Sequence, residues 1–433
     1  MKKLIIIALT ACISVFCTSC KMLSQKNNET EKHISAIAAG TTQLAQMYNP
    51  TSTTIHPKVF VKKNDTTDID LFVIINDSEL LFSKANTQNQ QLAKVKVFYK
   101  IMESFESGTM IDTSMRVITI AKTASPKTFA IKLKLKHVDL PKFVVQTTIT
   151  DLVRGKMNIS FNEVDKFDST GIDNFNVTYT NDGQPFQKTY ADLGTNLTIK
   201  YNNTPGLHLI YNAVLPVDST IPKSPYATLA FYNDSTIHVD TQAQPLQYSF
   251  TIDKPGIYFT TADSVNQKGF AIPCFGNDHP NVNTPDDMLK TIKYLCTDEE
   301  YAEIKAKPSK KLAVDDFWYS CTKDIKKSKE LIRVFYTRAV YANIFFTDHR
   351  QGMLTDRGMV YIVMGPPQMM AITSKAEIWT YRDREENRKI KFVFRKRQTT
   401  LTTPEYRLYR STEFKPYWDL AVDTWRKGNI YTF

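Results

Sequence analysis

The chain has 433 residues, 42% of them hydrophobic and 12% aromatic, enough apolar content to pack two to four domains and to exclude a disordered polymer. Its net charge of +11 is uneven: residues 281–433 carry 28 Lys+Arg against 20 Asp+Glu, and residues 21–280 carry 25 against 24. A basic C-terminal third admits nucleic acid, anionic headgroups or an acidic protein as partner. The address read from the N-terminus removes nucleic acid from that set.

Lys2 and Lys3 precede the apolar run LIIIALTACISVF, which is too short to span a bilayer (about 20 residues are needed) and suits the core of an export signal. Cys17-Thr18-Ser19-Cys20 then resembles a bacterial lipobox, with Cys17 where leucine is usual. The resemblance implies that a signal peptide over 1–19 is removed and that Cys20 is acylated, which anchors a chain stably once two or more acyl groups are present. Simple secretion is the alternative. An outer-membrane address is expected, and the periplasmic and cell-surface faces both stay open because Lys21 follows the cysteine. Residues 20–50 comprise this cysteine, the polar tether KMLSQKNNETEK and an amphipathic helix over 33–48, stopped by Asn49-Pro50 and expected to pack on the first domain. Cys274, Cys296 and Cys321 remain, enough for one disulfide at most. Without CxxC spacing or a His–Cys cluster they read as small buried residues, and no metal site is expected.

From 51 to 166 the hydrophobic period is two. In FAIKLKLK, Phe129, Ile131, Leu133 and Leu135 alternate with Lys132, Lys134 and Lys136, so the lysines form a wet face and the segment reads as part of an antiparallel sandwich. Residues 167–280 continue in that style, with turn chemistry at TNDGQP, NNTPG and DKPG. The fold class expected is multidomain: two all-β antiparallel sandwich (Ig-like) domains followed by an α+β domain over 281–433.

The third region opens with helix signals. Thr284-Pro285 is an N-cap followed by proline, and Thr297 with Glu300 forms a capping box. A longer helix over 327–346 places Arg338 on its apolar stripe, where the guanidinium needs a partner. Asp356 or Glu377 is expected to supply it at under 4 Å. Asp356-Arg357-Gly358 reads as a turn with Gly358 free to take positive φ, Met359–Met364 as a buried strand, and Gly365-Pro366-Pro367 as its stop. AEIWTYRDREENRKIKFVFRKR, 376–397, reads as a hairpin with Ile390, Phe392 and Phe394 inward. Its basic face, Lys389, Lys391, Arg395 and Arg397, is a candidate docking surface for an acidic partner or headgroups and equally an ordinary wet strand face.

Phe317-Trp318, Arg338, Asn343, Gly352-x-x-Thr355-Asp356-Arg357-Gly358, Gly365 and Glu377-x-Trp379 together resemble the GWxTD domain of Bacteroidota lipoproteins over roughly 315–410. Met353 replaces the motif's tryptophan, and Lys329-Glu330 stands where Asn-Glu is usual. A thioether fills an aromatic pocket adaptably, so the fold is expected to survive. The resemblance implies a lipid-anchored β-domain protein ending in this module and carries no established reaction.

Arg338, Asp356, Arg357 and Glu377 read as a buried charge network in preference to a catalytic set; no catalytic residues and no cofactor are expected. GxSxG, HExxH, P-loop and GxGxxG motifs are missing. Asp-Ser/Thr-x triplets resemble O-glycan acceptors of exported Bacteroidota proteins and mark Thr66, Ser169, Ser219, Ser235 and Ser264. The function expected is a non-enzymatic accessory or scaffolding subunit of an outer-membrane protein-assembly or secretion machine, with an integral β-barrel and other lipoproteins as partners. Alternatives are a glycan- or peptidoglycan-processing enzyme with its site around Asp356, and a sugar-binding accessory lipoprotein.

Overall fold

The computed structural model describes residues 44–433 apart from 51–54, 108, 126, 136–138, 187, 203–207, 229–239, 264, 266–267, 384–387, 398, 400 and 402–403. The leader, Cys20, residues 33–43 of the expected N-terminal helix, Lys136, Ser235 and Ser264 lie outside the described residues. Antiparallel sheets make up most of the regular structure, with the longer helices near the C-terminus.

Strands β1 (Lys58–Lys63), β2 (Ile69–Asn76), β3 (Leu92–Met102), β4 (Met110–Ala121), β5 (Thr128–Lys134), β6 (Lys142–Asp151) and β7 (Lys156–Asp165) form two sheets, ordered β1-β2-β5 and β4-β3-β6-β7. They share a core: Val73, Ile75 and Ile131 of one sheet meet Val95, Val97 and Ile149 of the other. Period-two alternation produces this directly, since one side-chain row of each strand faces in. Lys132 and Lys134 are exposed, as expected, and pair with Asp70 and Asp68 at 2.8 and 2.9 Å.

The second set is β8 (Phe175–Tyr179), β9 (Asn196–Tyr201), β10 (Leu209–Leu215), β11 (Gln242–Pro245), β12 (Gln247–Thr251), β13 (Gly256–Thr261) and β14 (Phe270–Cys274). Its sheets are ordered β8-β9-β12 and β11-β10-β13-β14 around Leu197, Ile199, Ile210, Phe270 and Ile272. Strand for strand this is the order of the first set, although no sequence repeat connects them. A buried lysine sits at their joint. Lys63 Nζ donates to the carbonyls of Asp165 and Asp168 and pairs with Asp173 at 3.2 Å.

Helices α1 (Pro285–Ile292), α2 (Asp298–Ala306), α3 (Lys310–Thr322) and α4 (Ile325–Phe346) follow, the first two capped by Thr284 and Thr297 as their sequences specify. The run expected as a strand is instead helix α5 (Asp356–Met364), all nine residues of which are buried. Thr355 caps it by accepting from the Gly358 N–H at 3.0 Å. A segment apolar on every face shows no helical periodicity, and six consecutive apolar residues read the same in either state. Strands β15 (Met369–Ile372), β16 (Ala376–Asp383), β17 (Arg388–Arg397) and β18 (Glu405–Leu408) pair in sequence order into one antiparallel sheet. Helix α6 (Lys415–Arg426) closes the core, in which Phe335, Phe346, Trp379, Phe392 and Trp425 surround α5. The hairpin pairs as expected, with Trp379 opposite Phe392.

The described part of the N-terminal helix corrects its expected site. Leu44–Tyr48 packs in the C-terminal core, not on the first β domain. His279 marks another joint. Its ring lies edge-on to Tyr190 at 4.4 Å and beside Phe275, with Thr347 Oγ1 at 3.4 Å from Nε2. Burial lowers its pKa from 6.5 to about 4, against the pull of Asp192 and Asp287. The folded chain therefore binds fewer protons than the unfolded chain between those values. Stability falls as pH drops through that window, by roughly 3 kcal/mol at its lower end. Urea midpoints at pH 7 and pH 4.5 test this: the drop shrinks in His279→Gln.

Candidate functional site

The motif residues converge on the two ends of α5. At its start, Gly352–Leu354 forms a 3-10 turn against α4. A Cβ on Gly352 would sit 2.0 Å from the Ala342 carbonyl oxygen, and one on Gly358 would sit 1.9 Å from the Gly352 carbonyl oxygen. Gly358 thus serves close backbone approach inside a helix, and the positive φ expected of it is absent. Asn343 ties the layers together: its Oδ1 accepts from the Met353 N–H at 2.8 Å and its Nδ2 donates to the Pro280 carbonyl at 2.9 Å. Met353 is buried, and its carbonyl accepts from the Tyr294 hydroxyl at 2.6 Å.

Asp356, 3% exposed, occupies the first turn of α5, where the helix dipole favours a carboxylate. Its Oδ2 accepts from the Leu408 N–H at 2.8 Å and from Arg410 Nη1 at 3.1 Å, and its Oδ1 accepts from Arg410 Nη2 at 2.6 Å. The same guanidinium donates to the carbonyls of Ser224 and Lys223, at 3.2 and 3.0 Å. The β10–β11 connection is thereby fastened to the C-terminal domain. Arg350 repeats the device on Asp218 at 3.2 Å.

Arg357 lies between the rings of Tyr406 and Phe346, 4.0 and 5.1 Å from their centroids, and its Nη1 donates to Glu377 Oε2 at 3.1 Å. Burial acts to lower its pKa, but Glu377, Tyr48, Tyr406 and Asp348 outweigh it and hold the guanidinium above its ordinary value. Glu377 also accepts from Trp379 Nε1 at 2.5 Å and from the Tyr48 hydroxyl at 3.2 Å. Tyr48 packs against Phe346 and Trp379, and its carbonyl accepts from the Tyr361 hydroxyl at 2.9 Å. The N-terminal segment is therefore part of this site. Tyr48→Ala is expected to cost about 3 kcal/mol, and Tyr48→Phe about 2 kcal/mol, the worth of one donor to a charged acceptor. Both are measured by urea denaturation, with limited proteolysis at residues 44–50 as a second readout for the alanine.

Arg338 departs from expectation. It meets neither Asp356 nor Glu377; its Nη1 donates to the carbonyls of Ile362 and Val363 at 3.2 and 3.4 Å, and its Nη2 to that of Tyr431 at 2.8 Å. The negative end of α5 supplies the anionic environment. Trp425 Nε1 donates to the Val363 carbonyl as well, at 3.0 Å, and stacks under the guanidinium. Desolvation lowers the Arg338 pKa to about 10. Gly365, at φ +88°, ends the helix where an added Cβ would sit 3.3 Å from that guanidinium, and its carbonyl accepts from the Tyr381 hydroxyl. Trp318 sits one layer out, donating to the Tyr336 hydroxyl at 3.2 Å.

Outside this network, Lys389 and Arg395 are exposed, while Lys391 and Arg397 are half-buried. Arg395 lies over Tyr409. Thr66, Ser169 and Ser219 are exposed, and each sits in the same turn. Oδ1 of Asp65, Asp168 or Asp218 accepts from the N–H two residues on, at 2.6, 2.8 and 2.8 Å. Cys274, Cys296 and Cys321 are unpaired, and burial pushes the Cys296 thiol up to about 12. No group of three or more His, Cys, Asp or Glu among the described residues could hold a metal ion. No described helix is long and apolar enough to cross a membrane.

A cavity of 230 Å³ lies where the three domains meet, walled by Phe60, Phe72, Phe186 and Thr347. Lys62, lowered to about 8 by burial, and the buried Asp348, raised by the same cause, also line it. Sequence reading missed it because its walls come from three distant stretches. Residues 256–427 match the family model of the GWxTD domain, starting at the first residue of β13. That strand is buried on both faces, and Ile257 and Phe259 pack against Leu401. No curated protein matches the chain.

Proposed function

From the GWxTD domain this chain carries, we propose that it is a non-enzymatic lipoprotein, anchored through Cys20 in the outer membrane, that scaffolds a protein-assembly or secretion machine built on an integral β-barrel. One observation carries this reading: every charged side chain of the motif is consumed by an internal partner. Asp356 is held by Arg410, Arg357 by Glu377, and Arg338 by helix-end carbonyls. A catalytic acid or base needs a reactive group within reach of a substrate, and these groups face packed protein. The network joins segments remote in sequence, which is what a presenter of surfaces requires. Both β domains follow the strand order A-B-E over C′-C-F-G, in support of Ig-like sandwiches.

With Cys20 acylated, residues 21–43 would reach at most about 80 Å, and the docked Leu44–Tyr48 would make the C-terminal domain the first body tethered to the membrane. Its exposed Lys389 and Arg395 suit an acidic partner or anionic headgroups. Affinity purification of the native protein after gentle detergent extraction tests the reading. The expected result is a stoichiometric complex containing a β-barrel and further lipoproteins. A protein recovered alone, retained on peptidoglycan or another glycan, would overturn it.

A further inference from the structure

Strand β4 is an edge strand. Among the described residues its only sheet neighbour is β3. It is twelve residues long, MIDTSMRVITIA, with neither proline nor lysine. Monomeric proteins blunt such edges with those residues, with other charges or with bulges; here the charges are Asp112 and Arg116, and the bulge lies at the strand's first residues, opposite Ile101 and Met102. The remainder, Asp112–Ala121, keeps a regular register with β3. Met110, Ile111, Met115 and Val117 are 60%, 38%, 63% and 49% exposed, so four large apolar side chains of one strand face water.

The charges on this strand are arranged symmetrically. Asp112 and Arg116 are its only charged residues, and each lies two positions from Ser114. Asp112 Oδ2 is shielded from solvent without a hydrogen-bond partner among the described residues, although an unpaired buried carboxylate oxygen is costly. Arg116 is exposed, and no described carboxylate pairs with it.

We infer that β4 pairs antiparallel with β4 of a second copy of this chain, about a two-fold axis at Ser114. In that register Asp112 lies opposite Arg116 of the second copy, and the symmetry forms the same pair twice. Thr113 then faces Met115, which adds cross-strand contacts along the exposed apolar row. Directly opposed residues of an antiparallel pair share a face, so the two charges meet on one side and the apolar groups on the other. The contact is isologous and closes on itself, joining two four-stranded sheets into one of eight strands. A strand from a different protein would need only to complement each charge separately; the two-fold placement of both about one residue is what favours a second copy.

Full-length lipidated protein in detergent provides the test. Ser114→Cys is expected to form a disulfide-linked dimer on mild oxidation, because the two positions face each other across the axis at about 5 Å. Thr119→Cys, about 34 Å from its counterpart in this register, is expected to stay monomeric. Sedimentation should give twice the monomer mass for the parent protein, the monomer mass for Arg116→Asp, and the dimer again for the double exchange Asp112→Arg with Arg116→Asp. A monomeric parent would overturn the inference, as would a crosslink from position 114 to a different protein or a double exchange that stays monomeric.

Discussion

Gly358→Ala is expected to lower the stability of the C-terminal domain by at least about 3 kcal/mol, or to prevent its folding. The added Cβ would lie 1.9 Å from the Gly352 carbonyl oxygen, a backbone atom that cannot swing aside. Gly352 is itself pressed onto α4, 2.0 Å being the distance its own Cβ would have from the Ala342 carbonyl oxygen. Strain therefore passes through two layers before reaching anything soft, which places this overpacking at or above the usual range of 1–3 kcal/mol. Gly155→Ala is the control. That residue has φ +67° with nothing within 4 Å, so only the conformational cost of about 1 kcal/mol applies. Tryptophan fluorescence during urea denaturation distinguishes them, because Trp318, Trp379, Trp418 and Trp425 are the chain's four tryptophans and all lie in the C-terminal domain. The expected result is a large shift for Gly358→Ala and an unmoved tryptophan transition for Gly155→Ala.

The second large effect is a contrast between one substitution and two. Arg357→Met leaves the Glu377 carboxylate buried, 2% exposed, with only neutral donors from Trp379 and Tyr48. Removing one partner of a buried pair costs about 3–5 kcal/mol. Adding Glu377→Gln removes the orphaned charge. The amide oxygen still accepts from Trp379, its NH₂ can donate to the Tyr48 hydroxyl, and the introduced thioether side chain fills the slot between Phe346 and Tyr406. The double variant is expected to recover most of the loss, because well-packed neutral replacements of buried ion pairs are often near neutral. Urea denaturation of both single variants and the double variant measures the coupling. A double variant as unstable as the sum of the singles would contradict the packing account of this pair.

What the sequence disclosed depended on whether the governing contact was local. The 376–397 hairpin was legible because Ile390, Phe392 and Phe394 alternate with Lys391, Val393 and Arg395, and the period belongs to the strand itself. Caps at Thr284 and Thr297 were legible for the same reason. Helix α5 was not, since Met359–Met364 is apolar on all sides and its environment, not its pattern, selects the helix. The motif residues were recognisable, yet their pairing was misassigned for Arg338: its acceptors are backbone carbonyls exposed by a helix end that had been read as a strand end. The docking of Tyr48 on Glu377, 329 positions away, has no local trace at all. Nor does the common strand order of the two β domains, which survives without any repeat in the residues.

The central claim is that the charges around α5 hold domains together and perform no chemistry. The Arg357→Met, Glu377→Gln double variant tests it most directly, in native cells by capture of the proposed β-barrel complex. If the pair is structural, the double variant folds and recovers the partner complex at the stoichiometry of the parent, while Arg357→Met alone is depleted with its lost stability. A double variant that is as stable as the parent but has lost all cellular activity would show that the charges themselves act on a substrate.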